Sequence, residues 1–149
     1  MVSVRESITA KGHPNISARH RSTFEVTKDP YVTPRGDCII AVSASKAAAD
    51  LSPEFKNLLK SSATVIVFRL EVEGFTWVVR GYGSESMVLT DERSMVFRRS
   101  RYVCPRTVMV GADKSAIDLP RKVVEVLRKP DASIRIILEA YRGDTSACE

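Results

Sequence analysis

Hydrophobic and polar positions along the chain predict a protein built mainly of strands. Segments that alternate in polarity, or are rich in Val, Ile, Thr and aromatic residues, predict strands near 2–10, 16–27, 37–44, 63–72, 75–82, 86–90, 94–99, 106–112 and 132–141. The fourth and fifth meet at Glu73–Gly74 and read as a hairpin, with Gly74 supplying the permissive turn residue. Two stretches carry helical spacing instead. One starts near Ser52–Pro53–Glu54, an N-cap followed by a first-turn proline and an acid, and presents Phe55, Leu58 and Leu59. The other starts near Asp118–Leu119–Pro120, presents Val123, Val126 and Leu127, and closes at Arg128–Lys129–Pro130. The pattern leaves open whether KAAADL and KSAIDL extend these helices or form the turns before them.

The two helical phrases also resemble each other. At a constant offset of 68, Val42, Ala44, Lys46, Ala48, Asp50, Leu51 and Leu59 meet Val110, Ala112, Lys114, Ala116, Asp118, Leu119 and Leu127. Upstream the match continues at an offset of 71, through Gly12 and Gly83. The chain thus reads as two β-β-β-α-β units, over 1–71 and 72–143, followed by a tail at 144–149. Chance is the competing account, because Ala, Lys, Asp and Leu are common in any capped strand-helix phrase. A duplication predicts equivalent residues around a pseudo-twofold axis.

Period-two reading of 16–27 puts Ile16, Ala18, His20, Ser22, Phe24 and Val26 on one face. The equivalent stripe in the second unit is Met87, Leu89, Asp91, Arg93, Met95 and Phe97. Polar residues interrupt both stripes at the same places. If the stripes face each other, His20 and Asp91 form a histidine–carboxylate pair, which suits a general base. The blander reading is a satisfied core histidine with its partner. His13, in the Gly12–Asn15 turn, and Asp37 are the alternative base and orienting carboxylate. Two histidines and a carboxylate here have no diagnostic metal-ligand spacing, so no metal site is expected.

Composition changes this picture little, and charge changes it more. With 149 residues, 44% hydrophobic and 28% charged, the chain reads as one ordinary globular domain over 1–149. The odd count of three cysteines, Cys38, Cys104 and Cys148, is no disulfide framework. Cys38 reads as a buried small hydrophobe and Cys148 as an exposed tail residue. No apolar run reaches transmembrane length and the N-terminus lacks a signal-peptide pattern, so a cytoplasmic protein with no membrane partner is expected. A net charge of +5 suits acidic partners. The charge concentrates in two segments, one holding Arg19 and Arg21, the other Arg93, Arg98, Arg99 and Arg101.

The run Phe97–Tyr102 mixes arginine with aromatics, which can follow a phosphate backbone and stack on bases, or can be a solvated basic edge strand. Lys46 and Lys114 sit between a strand end and a helix start, a place that suits a phosphate. Equally, they are solvated lysines, with Asp50 and Asp118 capping the helices. There is no Walker A or Gly-x-Gly-x-x-Gly run.

The strings GHPNISARHRSTFEVTKDPYVTPRGDCIIAVSASK and SMVFRRSRYVCPRTVMVGADKSA make the chain resemble a small archaeal family of conserved proteins known as a domain of unknown function. The resemblance covers roughly residues 3–142. Its most specific parts are Gly12–Asn15, Thr23, Glu25, Thr27, Gly36–Ile40 and Arg99–Ser100. It implies a β-rich, sandwich-like fold with two helices and a cytoplasmic setting, and it carries over no activity and no catalytic residue.

The fold expected is therefore α+β and β-rich, two β-β-β-α-β units forming a sandwich or distorted barrel with two flanking helices. The function expected is a binding module for an anionic ligand, RNA, a nucleotide or a phosphorylated small molecule. Its candidate contacts are Arg19, Arg21, Lys46, Arg93, Arg98, Arg99, Arg101 and Lys114. The alternative is a small, hydrolytic enzyme using His20 or His13 with Asp91 or Asp37. Neither pattern names a cofactor or an oligomeric state.

Overall fold

In the computed structural model, which describes residues 2–143, each half of the chain lays down the same succession of elements. The first half runs β1 (Val2–Lys11), β2 (Thr23–Thr27), β3 (Ile39–Ala41), a 3-10 turn (Ala48–Asp50), α1 (Pro53–Leu59) and β4 (Val65–Val72). The second runs β5 (Phe75–Tyr82), β6 (Ser94–Arg98), β7 (Thr107–Met109), a 3-10 turn (Ala116–Asp118), α2 (Arg121–Leu127) and β8 (Ser133–Arg142). One sheet has the order β1-β8-β4-β5, antiparallel throughout. The other has the order β3-β2-β6-β7, with β2 and β6 antiparallel at its centre and a parallel edge strand on each side. The protein is therefore a strand-rich α+β fold of two packed sheets and two short helices, not a closed barrel. Single bridges, Lys11 to Val42 and Tyr82 to Val110, stitch the sheets at two corners.

Inward-facing side chains explain the packing. Phe24 and Phe97, directly opposite on β2 and β6, stack at 4.6 Å. Phe68 of β4 meets both edge-on at 4.9 Å, and Trp77 of β5 meets Phe24 at 5.2 Å. The three phenylalanines are fully buried, and each contributes about 2–3 kcal/mol relative to exposure. Phe55, Leu58 and Leu59 of α1 and Val123, Val126 and Leu127 of α2 bury the faces that their spacing predicts. No helix of the described residues is long and apolar enough to cross a membrane.

Each half also leans on the end of the other half's helix. A Cβ on Gly12 would run into the carbonyl oxygens of Leu127 and Lys129 behind α2, and one on Gly83 into those of Leu59 and Ser61 behind α1. His13 N–H donates to Leu127 O and Ser84 N–H to Leu59 O, both at 2.9 Å. Only glycine fits so close a backbone approach.

Several expected strands are shorter or absent. The segment expected over 16–27 is a strand only at Thr23–Thr27, and 86–90 is irregular. Ala18 and Leu89, one in each segment, adopt left-handed φ values of 51° and 56°, which breaks an extended run. The strands expected at 37–44 and 106–112 shrink to three residues each. KAAADL and KSAIDL form the separate 3-10 turns. Asp50 and Asp118 cap those turns and not the helices, accepting from Ala47 N–H and Ser115 N–H at 2.8 Å. Ser52 caps α1 as predicted, accepting from Phe55 N–H at 3.1 Å. The expected tail at 144–149 and Cys148 lie outside the described residues.

Candidate anion-binding surface

The structure keeps His20 and Asp91 apart. Each sits in the turn that leads into a central strand, His20 before β2 and Asp91 before β6. Because these strands are antiparallel, with Thr23 opposite Arg98 and Thr27 opposite Ser94, the two turns lie at opposite ends of the pair. Four residue steps of strand, ~13 Å, separate them. Both residues do the same local work. His20 Nδ1 accepts from Ser22 N–H (3.2 Å) and Thr23 N–H (3.1 Å), and Asp91 Oδ2 accepts from Arg93 N–H (3.1 Å) and Ser94 N–H (2.8 Å). An Nδ1 that accepts backbone N–H bonds leaves the ring proton on Nε2, so this imidazole is a turn cap, not a base held by a carboxylate.

His13 is occupied in the same way, its Nδ1 accepting from Asn15 N–H at 3.0 Å. Asp37 reaches the His20 segment through its backbone carbonyl, which accepts from Arg19 N–H (2.9 Å) and His20 N–H (3.2 Å). No group of three metal-ligating side chains forms among the described residues.

The basic candidates divide. Lys46 donates to Glu6 Oε1 at 2.8 Å, and Ser52 N–H donates to Glu6 Oε2 at 3.1 Å. Burial would raise this carboxyl, but the bonds from Lys46 and Ser52 outweigh it and hold Glu6 below the ordinary carboxylate range. Lys114 donates to Val78 O. Both lysines are therefore engaged within the fold. Arg93 grips Asp29 with two contacts of 2.8 Å. Arg98 donates to Thr107 Oγ1 (3.0 Å) and Cys104 Sγ (3.3 Å) and lies over the Tyr102 ring at 4.9 Å. Arg101 is exposed near Gly111.

Arg19, Arg21 and Arg99 come together with two residues that the pattern did not single out, Arg121 and Arg128. An open cleft of about 400 Å³ is lined by Ser17, Arg19, Arg121, Val124, Glu125 and Arg128. A second of about 300 Å³ is lined by Arg21, Arg99, Ser115, Ile117 and Asp118. Arg121 holds the ground between them. Its guanidinium donates to the carbonyls of Ser17, Ala18, Ile117 and Leu119 at 2.8–3.3 Å, clasping the 17–19 segment to the 3-10 turn. Burial first, and then the charge of Arg19, lowers the Arg121 guanidinium. Arg128 donates to Ile16 O at 3.0 Å, and Arg99 to Asp113 O at 3.0 Å, with Asp118 3.8 Å away. Among the described residues, the exposed Arg19 and Arg21 side chains have no hydrogen-bond or ion-pair partner. Seven residues apart, Arg121 at the start of α2 and Arg128 at its C-cap fall on one side of the helix, and that spacing was the available signal.

A further cluster surrounds Cys104. Partial burial would raise this thiol, but the Thr107 hydroxyl, the Arg106 N–H and the Arg98 guanidinium outweigh it and bring the thiol down to about 7. Cys38 is opposite in character. Burial, then Glu25 at 3.6 Å and Asp37, push it up to about 12.

Methanocaldococcus jannaschii has a similar protein, described as "Uncharacterized protein MJ0206", 45% identical over 122 residues, which are 82% of this chain and 90% of the relative. The family model described as Domain of unknown function (DUF371) matches residues 8–141, nearly the whole of both sheets, and the chain belongs to that family.

Proposed function

We propose that the protein is a binding module for phosphate-bearing anions, and that the two arginine clefts are its contact surface. One observation carries the reading: five arginines converge on adjoining open clefts, and two of them, Arg19 and Arg21, have no partner among the described residues. Against them stand only Asp118 and Glu125, leaving three positive charges uncompensated. Guanidinium groups of this kind give paired hydrogen bonds to phosphate oxygens. A hydrolase built on His20 draws no support, because the nitrogen that would act as base is already an acceptor in its own turn.

Calorimetric titration with inorganic pyrophosphate at low ionic strength tests this. Wild-type protein is expected to bind it, and Arg19→Ala with Arg21→Ala to weaken binding roughly 100-fold, at about 1.5 kcal/mol for each charged hydrogen bond lost. Arg93→Ala removes one positive charge away from the clefts, where Arg93 grips Asp29, and is expected to change nothing. Binding that is indifferent to Arg19 and Arg21 overturns the reading.

A further inference from the structure

Resting on the anion-binding reading, we infer that the ligand of the two clefts is a polymer, single-stranded nucleic acid laid across both. Four observations point there. First, the clefts are neighbours on one path. Arg121 lines the first and bonds the carbonyl of Ile117, which lines the second. Second, both are open and lined chiefly by charged groups. Small-molecule sites are mostly apolar concavities that close over most of the ligand. Nothing here encloses a sugar or a base, whereas a chain with one phosphate per nucleotide fits a row of separated guanidinium groups.

Third, the groups free to meet phosphates are spread along the path. Arg19 faces the first cleft and Arg21 the second, both without a partner among the described residues; Arg99 also faces the second, half exposed and with only its Nη2 spent on Asp113 O, while Arg121 is consumed in holding the ridge between them. Fourth, apolar surface accompanies the charge. Ile117 is 37% exposed in the second cleft; Tyr102, 63% exposed, lies outside the lining of both clefts, three residues beyond Arg99, with one ring face covered by the Arg98 guanidinium. An exposed aromatic ring next to arginines offers a face to an unpaired base and nothing specific to a carboxylate chain. Reading a duplex by its base edges would need an element that projects into a groove. Here Arg121 at the start of α2 is tied to the neighbouring loop.

The number of available arginines sets the expected salt dependence. Three phosphate contacts on a single strand give a slope of about −2 in log affinity against log salt, and one contact about −0.7. The experiment is fluorescence anisotropy with labelled 12-mers of oligo(U) and oligo(dT) over a salt series. Parallel arms use a 12-bp duplex, poly-glutamate of equal charge and inorganic pyrophosphate as competitor. Wild-type protein is expected to bind both single strands more tightly than the other probes, with a slope near −2. The Arg19→Ala, Arg21→Ala double variant, whose two side chains hold nothing else in place, is expected to flatten the slope to about −0.7. Unchanged circular dichroism shows that it is folded.

If pyrophosphate binding needs Arg19 and Arg21 but the oligonucleotides bind no better than pyrophosphate, the polymer inference is overturned and the anion reading stands. Equal binding of duplex or poly-glutamate overturns it in favour of a general polyanion surface. A slope that the double variant leaves unchanged overturns it too, since the strand then runs elsewhere. Loss of all dependence on Arg19 and Arg21, pyrophosphate included, removes both.

Discussion

The arginine face and the face that occupies the same place in the other half share a backbone and differ in charge. On the arginine face, Ile117 N–H donates to His20 O at 3.0 Å and Arg99 N–H to Ser22 O at 2.9 Å. On the other, Ala49 N–H donates to Asp91 O at 2.9 Å and Lys28 N–H to Arg93 O at 2.7 Å. Each pair of bonds maps onto the other by the offsets of 68 and 71. Side chains at matching positions diverge. Arg19, Arg21, Arg121 and Arg128 stand where the other face has Thr90, Glu92, Pro53 and Lys60.

Three cations on that other face are engaged. Lys28 meets Asp50 at 3.1 Å, Arg93 meets Asp29, and Lys56 donates to Ala49 O at 2.7 Å. The Asp50 carboxyl is held low, first by the Ala47 N–H and then by Lys28. Turn chemistry and close packing fix the backbone, and any side chain that respects them can be replaced. Function is then sought where the two faces disagree, and they disagree most in unpartnered positive charge.

The largest expected effect tests whether the frame is shared at all. Gly12→Ala and Gly83→Ala each push a methyl group into backbone carbonyls that cannot move without shifting a helix end. Each is expected to destabilise by about 3 kcal/mol or more, seen in thermal or urea unfolding. The costs should be similar. If one glycine tolerates alanine, the two halves do not lean on each other's helices alike.

A smaller effect concerns the opposed thiols on the two flanks of the β3-β2-β6-β7 sheet. Cys38 lies against Glu25 and Asp37, and Cys104 against Arg98 and Arg106. The thiolate is the reactive form. Iodoacetamide alkylation of Cys104, located by peptide mapping, is expected to rise through a midpoint near pH 7, while Cys38 stays inert until near 12. Arg98→Ala removes a positive charge that favours the thiolate, so the Cys104 midpoint should move upward. Alkylation at pH 7 should then slow several-fold, to about a fifth of the parent rate if the midpoint rises by roughly one pH unit. Equal reactivity of the two thiols would show that the charge difference does not reach this side of the sheet.

Much of the frame was legible in sequence because it rests on local signals. Ser52–Pro53 starts α1, the Glu73–Gly74 hairpin joins β4 to β5, and the offsets of 68 and 71 align elements that the structure aligns. The site was legible only in part. Arg19, Arg21 and Arg99 were visible as basic positions, but their meeting with Arg121 and Arg128 depends on contacts more than 100 residues apart in the chain. The His20–Asp91 pair failed for a physical reason. Period-two alternation assumed a strand from Ile16 onward, and the left-handed turns at Ala18 and Leu89 end that alternation before either residue is reached. Lys46 looked like a ligand-binding group because its partner, Glu6, lies on a strand 40 residues earlier.

The smallest expected effect separates scaffold from charge within a single residue. If His20 and Asp91 serve only as turn caps, His20→Ala and Asp91→Ala should each cost about 1 kcal/mol, as loss of a capping acceptor does elsewhere. His20→Asp restores the acceptor that the other face already uses, so its stability in urea unfolding is expected to stay within about 0.5 kcal/mol of the parent. The same substitution places a carboxylate beside Arg19 and Arg21, and pyrophosphate binding is expected to weaken several-fold. A variant that keeps the fold and loses affinity separates what the two faces share, a capped turn, from what they do not, an open field of positive charge. A His20→Asp protein as unstable as His20→Ala would mean that the imidazole contributes more than an acceptor, and the equivalence of the two turns would fail at its centre.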